Sequence, residues 1–326
     1  MIGCRHPFIK FRPEIFGFAT LMILICHAVS IVPLPNNISI IVSYGGMGVN
    51  IFLFMSGIGL YYSLKRNGNI IDFYIRRAIR LIVPYLLIAG VWYGLKYLVI
   101  ENNFLLFIYE LSLLSFWIEH KGAWYVAALI PLYLIYPFIF KWLDRGREEL
   151  KIDSIIFALI IFMILLSMIN EHLYNHLSQI IVGMISFFIG TIVAKKIRNN
   201  AQSSFINLFL FGIVIFIVKT LSSLKNISWL SDLAYGFLSI SIIFVFVFII
   251  KFFNKSIKRI LVKLGEMSLE SYLFNIFLIQ AVNYWGNIFL GNQTFSYRLF
   301  LYLMIINLGI FLSFYCRKGI NRLLNI

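Results

Sequence analysis

Apolar residues run along this chain in long blocks, separated by short polar or charged stretches. A helix rises about 1.5 Å per residue and needs about 20 mostly apolar residues to cross the hydrocarbon core of a bilayer. Ten blocks approach that length: 14–33, 45–64, 81–100, 122–141, 154–170, 179–195, 205–221, 232–250, 267–287 and 298–316. A helix satisfies its own backbone donors and acceptors within lipid, which an irregular segment cannot do. The pattern therefore predicts an all-α, polytopic bundle of about ten transmembrane helices. The stretch 104–118 (FLLFIYELSLLSFWI) is too short to cross, and Glu110 interrupts it. It is expected to form a re-entrant or interfacial helix. The apolar run after the basic start MIGCRHPFIKFRPEIF is of spanning length, so it reads as a first transmembrane helix retained in the mature protein rather than a cleaved leader.

Charge fixes the expected orientation. With the N-terminus placed inside, all but five of the 28 Lys and Arg fall on the cytoplasmic side. The exceptions are Lys96, Lys121, Lys219, Lys225 and Arg298. Loops rich in Lys and Arg stay in the cytoplasm, so both termini are expected there, and an even number of spans follows. Composition agrees: 61% of residues are hydrophobic and 13% charged, against about 25% charged in soluble domains. A net charge of +15 on a soluble chain would suggest nucleic acid. Here the charges line one side, which assigns them to topology and anionic lipid, and no nucleic-acid partner is expected. The bilayer is the expected partner, and a cell (inner or plasma) membrane the expected location. Residues 1–326 read as one membrane domain. Cys4, Cys26 and Cys316 are too scattered for a disulfide framework or zinc knuckle. The lack of a GxxxxGK[ST] loop argues against an ATP-driven pump.

Ionisable and polar groups at membrane depth are costly and become functional candidates. His27 lies in the apolar setting MILICHAVS, about 20 Å along the first span. A neutral imidazole can take a proton near pH 7; a histidine bonded between helices is the competing reading. Arg12 and Glu14 stand at the inner entrance of the same helix. The run GGMGVNIFLFMSG (45–57) is rich in small residues that permit close helix packing, and it carries Asn50 and Ser56 to depth. In RRAIRLIVP (76–84), Arg76 and Arg80 share a helix face at i, i+4, with Arg77 beside them. These arginines suit either a topology anchor or a phosphate-bearing ligand. Glu119, His120, Lys121, Trp124 and Tyr125 form an outer cluster that could line an acceptor site or simply sit in the interface. His172 and His176 have helical metal-ligand spacing without further obvious ligands, and no metal is expected. In LGEMSLESYLFN, Glu270, Tyr272 and Asn275 carry polar chemistry into the ninth span, with Lys263 a potential partner for Glu270.

These features, in this order, resemble the integral-membrane acyltransferase family 3, which includes polysaccharide O-acetyltransferases. ICH27, GGMGVNIFLFMSG, RRAIRLIVPY, AWYVAALIPLYLIYP and LGEMSLESYLFN correspond to its successive motifs, over nearly the whole chain. Two positions depart from the pattern: Phe16 stands where the family usually has arginine, eleven residues before the histidine, and Asn275 stands where it has a late histidine. The resemblance implies a membrane O-acyltransferase with a cytoplasmic acyl-CoA donor, usually acetyl-CoA. It implies Arg76, Arg77 and Arg80 as the site for the CoA phosphates. It implies His27, with Glu270, in catalysis on a hydroxyl of a cell-envelope polysaccharide or lipid-linked sugar, through base catalysis or an acyl-enzyme. Asn50, Ser56, Glu119, His120, Trp124, Tyr125, Tyr272 and Asn275 are then candidates for substrate contact. The alternatives are a glycan or lipid transporter or flippase, and an inactive acyltransferase-like binding protein.

Overall fold

The computed structural model describes residues 6–119, 122–143, 148–199, 204–221, 227–291 and 293–323. Every one of the ten apolar blocks coincides with a helix: α1 (Arg12–Cys26), α2 (Met47–Arg66), α3 (Ile70–Tyr93), α4 (Trp124–Leu143), α5 (Glu148–Ile169), α6 (Glu171–Arg198), α7 (Ser204–Leu221), α8 (Ser228–Ile249), then α9 (Lys255–Glu266), which is not among the blocks, α10 (Ser268–Tyr284) and α11 (Phe295–Leu323). Among the described residues there is no strand, and eight helical stretches are long and apolar enough to cross a membrane. The protein is an all-α, polytopic membrane bundle. Helices α7 and α10 fall outside those eight; α10 has 17 residues, about 25 Å of helix.

The packing shows which faces meet lipid. Leu86, Leu87, Val91, Phe138, Phe248 and Phe311 are all exposed, on four different helices. Large apolar side chains presented outward all round would be costly in water and are at home in hydrocarbon. Inside, small residues bring backbones into contact. A methyl group at Gly57 of α2 would run into the Phe187 carbonyl of α6, and one at Gly190 of α6 would run into the Phe54 carbonyl of α2. The glycine run 45–57 thus serves helix packing as well as polar placement.

Three local features differ from the sequence expectation. Helix α3 starts at Ile70, capped by the Asn69 side chain accepting from the amides of Ile71 and Asp72. Arg76, Arg77 and Arg80, which precede the predicted block 81–100, are therefore part of the same continuous helix. The arginines interrupt the apolar run without breaking the helix, because one face turns toward a polar cavity described below. The segment 104–118 forms two short helices, Phe104–Leu111 and Leu114–Glu119, rather than one. Leu113 between them has φ of 65°, outside helical space.

The third feature is α9, an amphipathic helix where a basic loop was expected. Asn254 caps it through the Ile257 amide. Leu261 and Leu264 are buried beneath it, while Lys255, Lys258 and Arg259 are on its outer surface. It crosses the start of α1 at contact distance: a methyl at Gly17 would strike the Leu261 carbonyl, and one at Gly265 the Pro13 carbonyl. This crossing fixes the end of α1 that carries Arg12.

Candidate active site

The chemistry-bearing residues divide between two cavities along the bundle axis. The first, about 300 Å³, is lined by Arg12 from α1, Arg77 and Arg80 from α3, Glu266 from α9, Glu270 from α10 and Arg317 from α11, with Ser56, Tyr125 and Tyr133. The Arg12 guanidinium lies over the Phe16 ring, 5.2 Å from its centroid. One helical turn of spacing puts Arg12 and Phe16 on one face, and the long side chain carries its charge up to the level of Phe16. Arg77 packs over Phe73 at 5.7 Å, with Tyr133 on the same cavity wall. The Nε groups of Arg12 and Arg77 are buried and meet no acceptor among the described residues, which suits an anionic ligand.

Glu270 is the partner of Arg317, at 3.1 Å, and not of Lys263. Its side chain is 2% exposed and that of Arg317 31%. The pair joins α10 to α11 at the cavity wall.

The second cavity, about 450 Å³, holds His27, Asn50, Trp124, Gln179, Asp232 and Tyr272 among its lining residues. The α-helical part of α1 ends at Cys26, and His27 opens a tighter 3₁₀ turn, His27–Ser30. That change of winding turns the imidazole off the regular helix face. His27 Nδ1 lies 2.7 Å from Asn275 Oδ1, and Asn275 is fully buried. A carbonyl oxygen can only accept, so Nδ1 carries a proton, and the neutral imidazole then has its lone pair on Nε2. Asn275 thus fixes the orientation of the His27 ring.

A row of rings links the cavities. His27 and Tyr272 have centroids 6.2 Å apart, Tyr272 and Tyr125 5.6 Å, Tyr125 and Phe52 5.9 Å, and Phe52 stacks on Phe16 at 5.5 Å. Arg12 closes the row at the far end. Phe16 is eleven residues below His27 on α1, about 16 Å of helix rise.

The same domain appears in comparison with known families: an acyltransferase domain, acyltransferase family 3, matches residues 17–316. The chain belongs to acyltransferase family 3. It is a membrane acyltransferase by family, and its motifs supply both cavities. No curated protein and no solved structure matches the chain.

The remaining sequence candidates distribute as follows. Asn50, Trp124 and Tyr272 line the His27 cavity, and Ser56, Tyr125, Arg77, Arg80 and Glu270 line the arginine cavity. Adjacent residues Trp124 and Tyr125 therefore serve different cavities. Glu270 and His27, paired as catalytic candidates, also lie in different cavities. Arg76 lines neither, and neither does Glu119, which is exposed and accepts from the Tyr109 hydroxyl at 2.9 Å. His120 and Lys121 lie outside the described residues. His176 is buried against the Phe116 ring, and no metal-holding group of His, Cys, Asp or Glu occurs among the described residues. Sequence reasoning missed the cavity-lining roles of Arg12, Arg317, Gln179 and Asp232. Only Arg12 had a local signal, its i, i+4 spacing to Phe16.

Proposed function

We propose that the protein transfers an acyl group, acetyl in the first instance, from cytoplasmic acyl-CoA to a hydroxyl of a cell-envelope polysaccharide or lipid-linked sugar. The arginine cavity faces the cytoplasm of the cell membrane and takes CoA phosphates on Arg12, Arg77 and Arg80. Two buried arginine Nε groups without acceptors support that reading. From there an extended pantetheine arm can run beside the ring row toward His27. The acceptor enters the His27 cavity from the opposite side.

His27 Nε2 takes the proton of the acceptor hydroxyl as its oxygen attacks the thioester carbonyl. The C–O bond forms, the C–S bond breaks, and the CoA sulfur leaves with the proton returned by the imidazolium. Asn275 holds Nδ1–H throughout, and its carbonyl favours the imidazolium as charge develops. The carrying observation is this 2.7 Å contact between a buried amide and the one histidine lining the cavity among the described residues. Glu270 acts at a distance from the reacting atoms, by holding Arg317 at the wall of the donor cavity.

Mass spectrometry of envelope glycans from cells with the gene, without it, and with His27→Ala tests the reading. An acetyl mark lost in both the null and the variant supports it, and an unchanged acetylation profile in the null refutes it. Protein quenched with acetyl-CoA before acceptor is added separates the two chemistries, since an acyl-histidine would add the acyl mass to the peptide carrying His27.

A further inference from the structure

The His27 cavity carries a carboxylate that neither the family motifs nor the proposed transfer step uses. Asp232 lies in the second turn of α8, and its Oδ2 accepts the hydroxyl of Tyr174 from α6. Tyr174 is 1% exposed, so the carboxylate is held by a fixed donor. Among the described residues lining the cavity, Asp232 is the one acid, and no lysine or arginine stands with it. The rest of the lining includes the amides Asn50 and Gln179, the phenol of Tyr235 and the indole of Trp124. The two cavities differ in charge: the first gathers four arginines with Glu266 and Glu270, and the second, among the described residues, has Asp232 as its one carboxylate and no lysine or arginine.

A cavity with convergent amides, a phenol, a carboxylate and an aromatic face suits a polyol ring: hydroxyls donate to the carboxylate, and the apolar ring face lies on the indole. The same carboxylate works against an acid, because an unmatched like charge in a partly desolvated site discriminates strongly. We propose that the His27 cavity admits an uncharged glycosyl unit and that Asp232 sets this preference, accepting ring hydroxyls while turning away uronic-acid sugars. The inference deepens the acceptor half of the proposed function and rests on the His27 cavity being the acceptor side.

The test is equilibrium binding by saturation-transfer NMR, with full-length protein in lipid nanodiscs free of glycoside detergent. The probes are the methyl glycosides of glucose and galactose, each beside the methyl glycoside of its uronic acid. Wild type is expected to favour a neutral glycoside over its uronide by at least about tenfold. Asp232→Asn, which keeps the shape and removes the charge, is expected to reduce that ratio to about threefold or less. Tyr174→Phe keeps the charge and loosens it; neutral binding should weaken while uronides stay excluded. It also serves should Asp232→Asn fail to fold. Equal binding of neutral and acidic glycosides to wild type, binding of neither neutral glycoside, or an unchanged ratio in Asp232→Asn overturns the inference. The acetyl-transfer reading fails separately: the expected binding pattern in a protein that never consumes acetyl-CoA keeps the acceptor preference and removes the reaction.

Discussion

Replacing Asn275 by alanine isolates the part of catalysis that comes from orienting His27. The contact is short, 2.7 Å, and Asn275 has no solvent access. Removing the carbonyl leaves Nδ1–H without its acceptor in a buried place, at a cost of about 1–3 kcal/mol. The imidazole can recover part of this by moving its proton to Nε2 or turning away, and either response removes the base from the acceptor hydroxyl. If the whole cost appears in the barrier, kcat falls by roughly 5- to 150-fold. His27→Ala removes the base itself and should cost about 10²- to 10⁴-fold. The assay is the initial rate of CoA release in membranes that contain the native acceptor, at saturating acetyl-CoA, with KM measured beside it. Asn275→Ala should lower kcat and leave the donor KM unchanged, because Asn275 is bonded to His27 and lines no part of the arginine cavity. Asn275→Asp keeps an acceptor oxygen in the same place and should restore most of the rate. A variant Asn275→Ala within about twofold of wild type, beside an inactive His27→Ala, would refute the assignment of Asn275 as the residue that positions the base.

Further measurements address the donor side and the packing. Arg77→Ala and Arg80→Ala should each weaken acetyl-CoA binding by about 1.5–3 kcal/mol, roughly 10- to 150-fold in Kd, with kcat at saturation preserved; Arg76→Ala, which lines neither cavity, should change Kd far less, and isothermal titration of the three variants reads the difference. Arg317→Ala strands a buried Glu270 and should lower thermal stability by at most about 3–5 kcal/mol, since Arg317 is partly exposed. Adding Glu270→Gln to that variant should restore most of the loss, as a melting curve followed by tryptophan fluorescence would show. Gly190→Val should separate α2 from α6 and abolish a sharp melting transition, whereas Gly68→Ala, where a methyl meets nothing, should melt like wild type.

The helices were legible because lipid imposes length and apolarity on each of them separately. The apolar blocks at 45–64 and 232–250 needed no knowledge of their neighbours to be read. Polar contents of the bundle were harder, since they depend on which helices meet. Three arginines before Leu81 made the predicted span begin after them, because composition shows that charges interrupt an apolar run but not that a cavity lies beside them. The rotation of α3 then selects Arg77 over Arg76, a matter of about 100° that only packing decides. Glu270 found Arg317, 47 residues away, rather than the nearby Lys263, because α10 and α11 lie side by side while Lys263 belongs to a separate helix. Asp232 carries no motif, and Tyr174, which holds it, is 58 residues distant. The departures at Phe16 and Asn275 gained meaning only in three dimensions: Arg12 lies over the first, and the second is bonded to His27.

The ring row between the cavities also bears on leakage. A membrane that stores energy as an ion gradient is discharged by any continuous file of water through a protein within it. The ring row lies between the two cavities: Phe16, Phe52 and Tyr125 line the arginine cavity and Tyr272 lines the His27 cavity, so water entering from either face meets aromatic rings. A flexible thioester arm can thread past rings that turn; a hydrated ion would have to shed its shell to follow. In the proposed reaction, then, the acyl group passes from one compartment to the other while ions do not, and the energy for its crossing comes from the thioester rather than from the gradient.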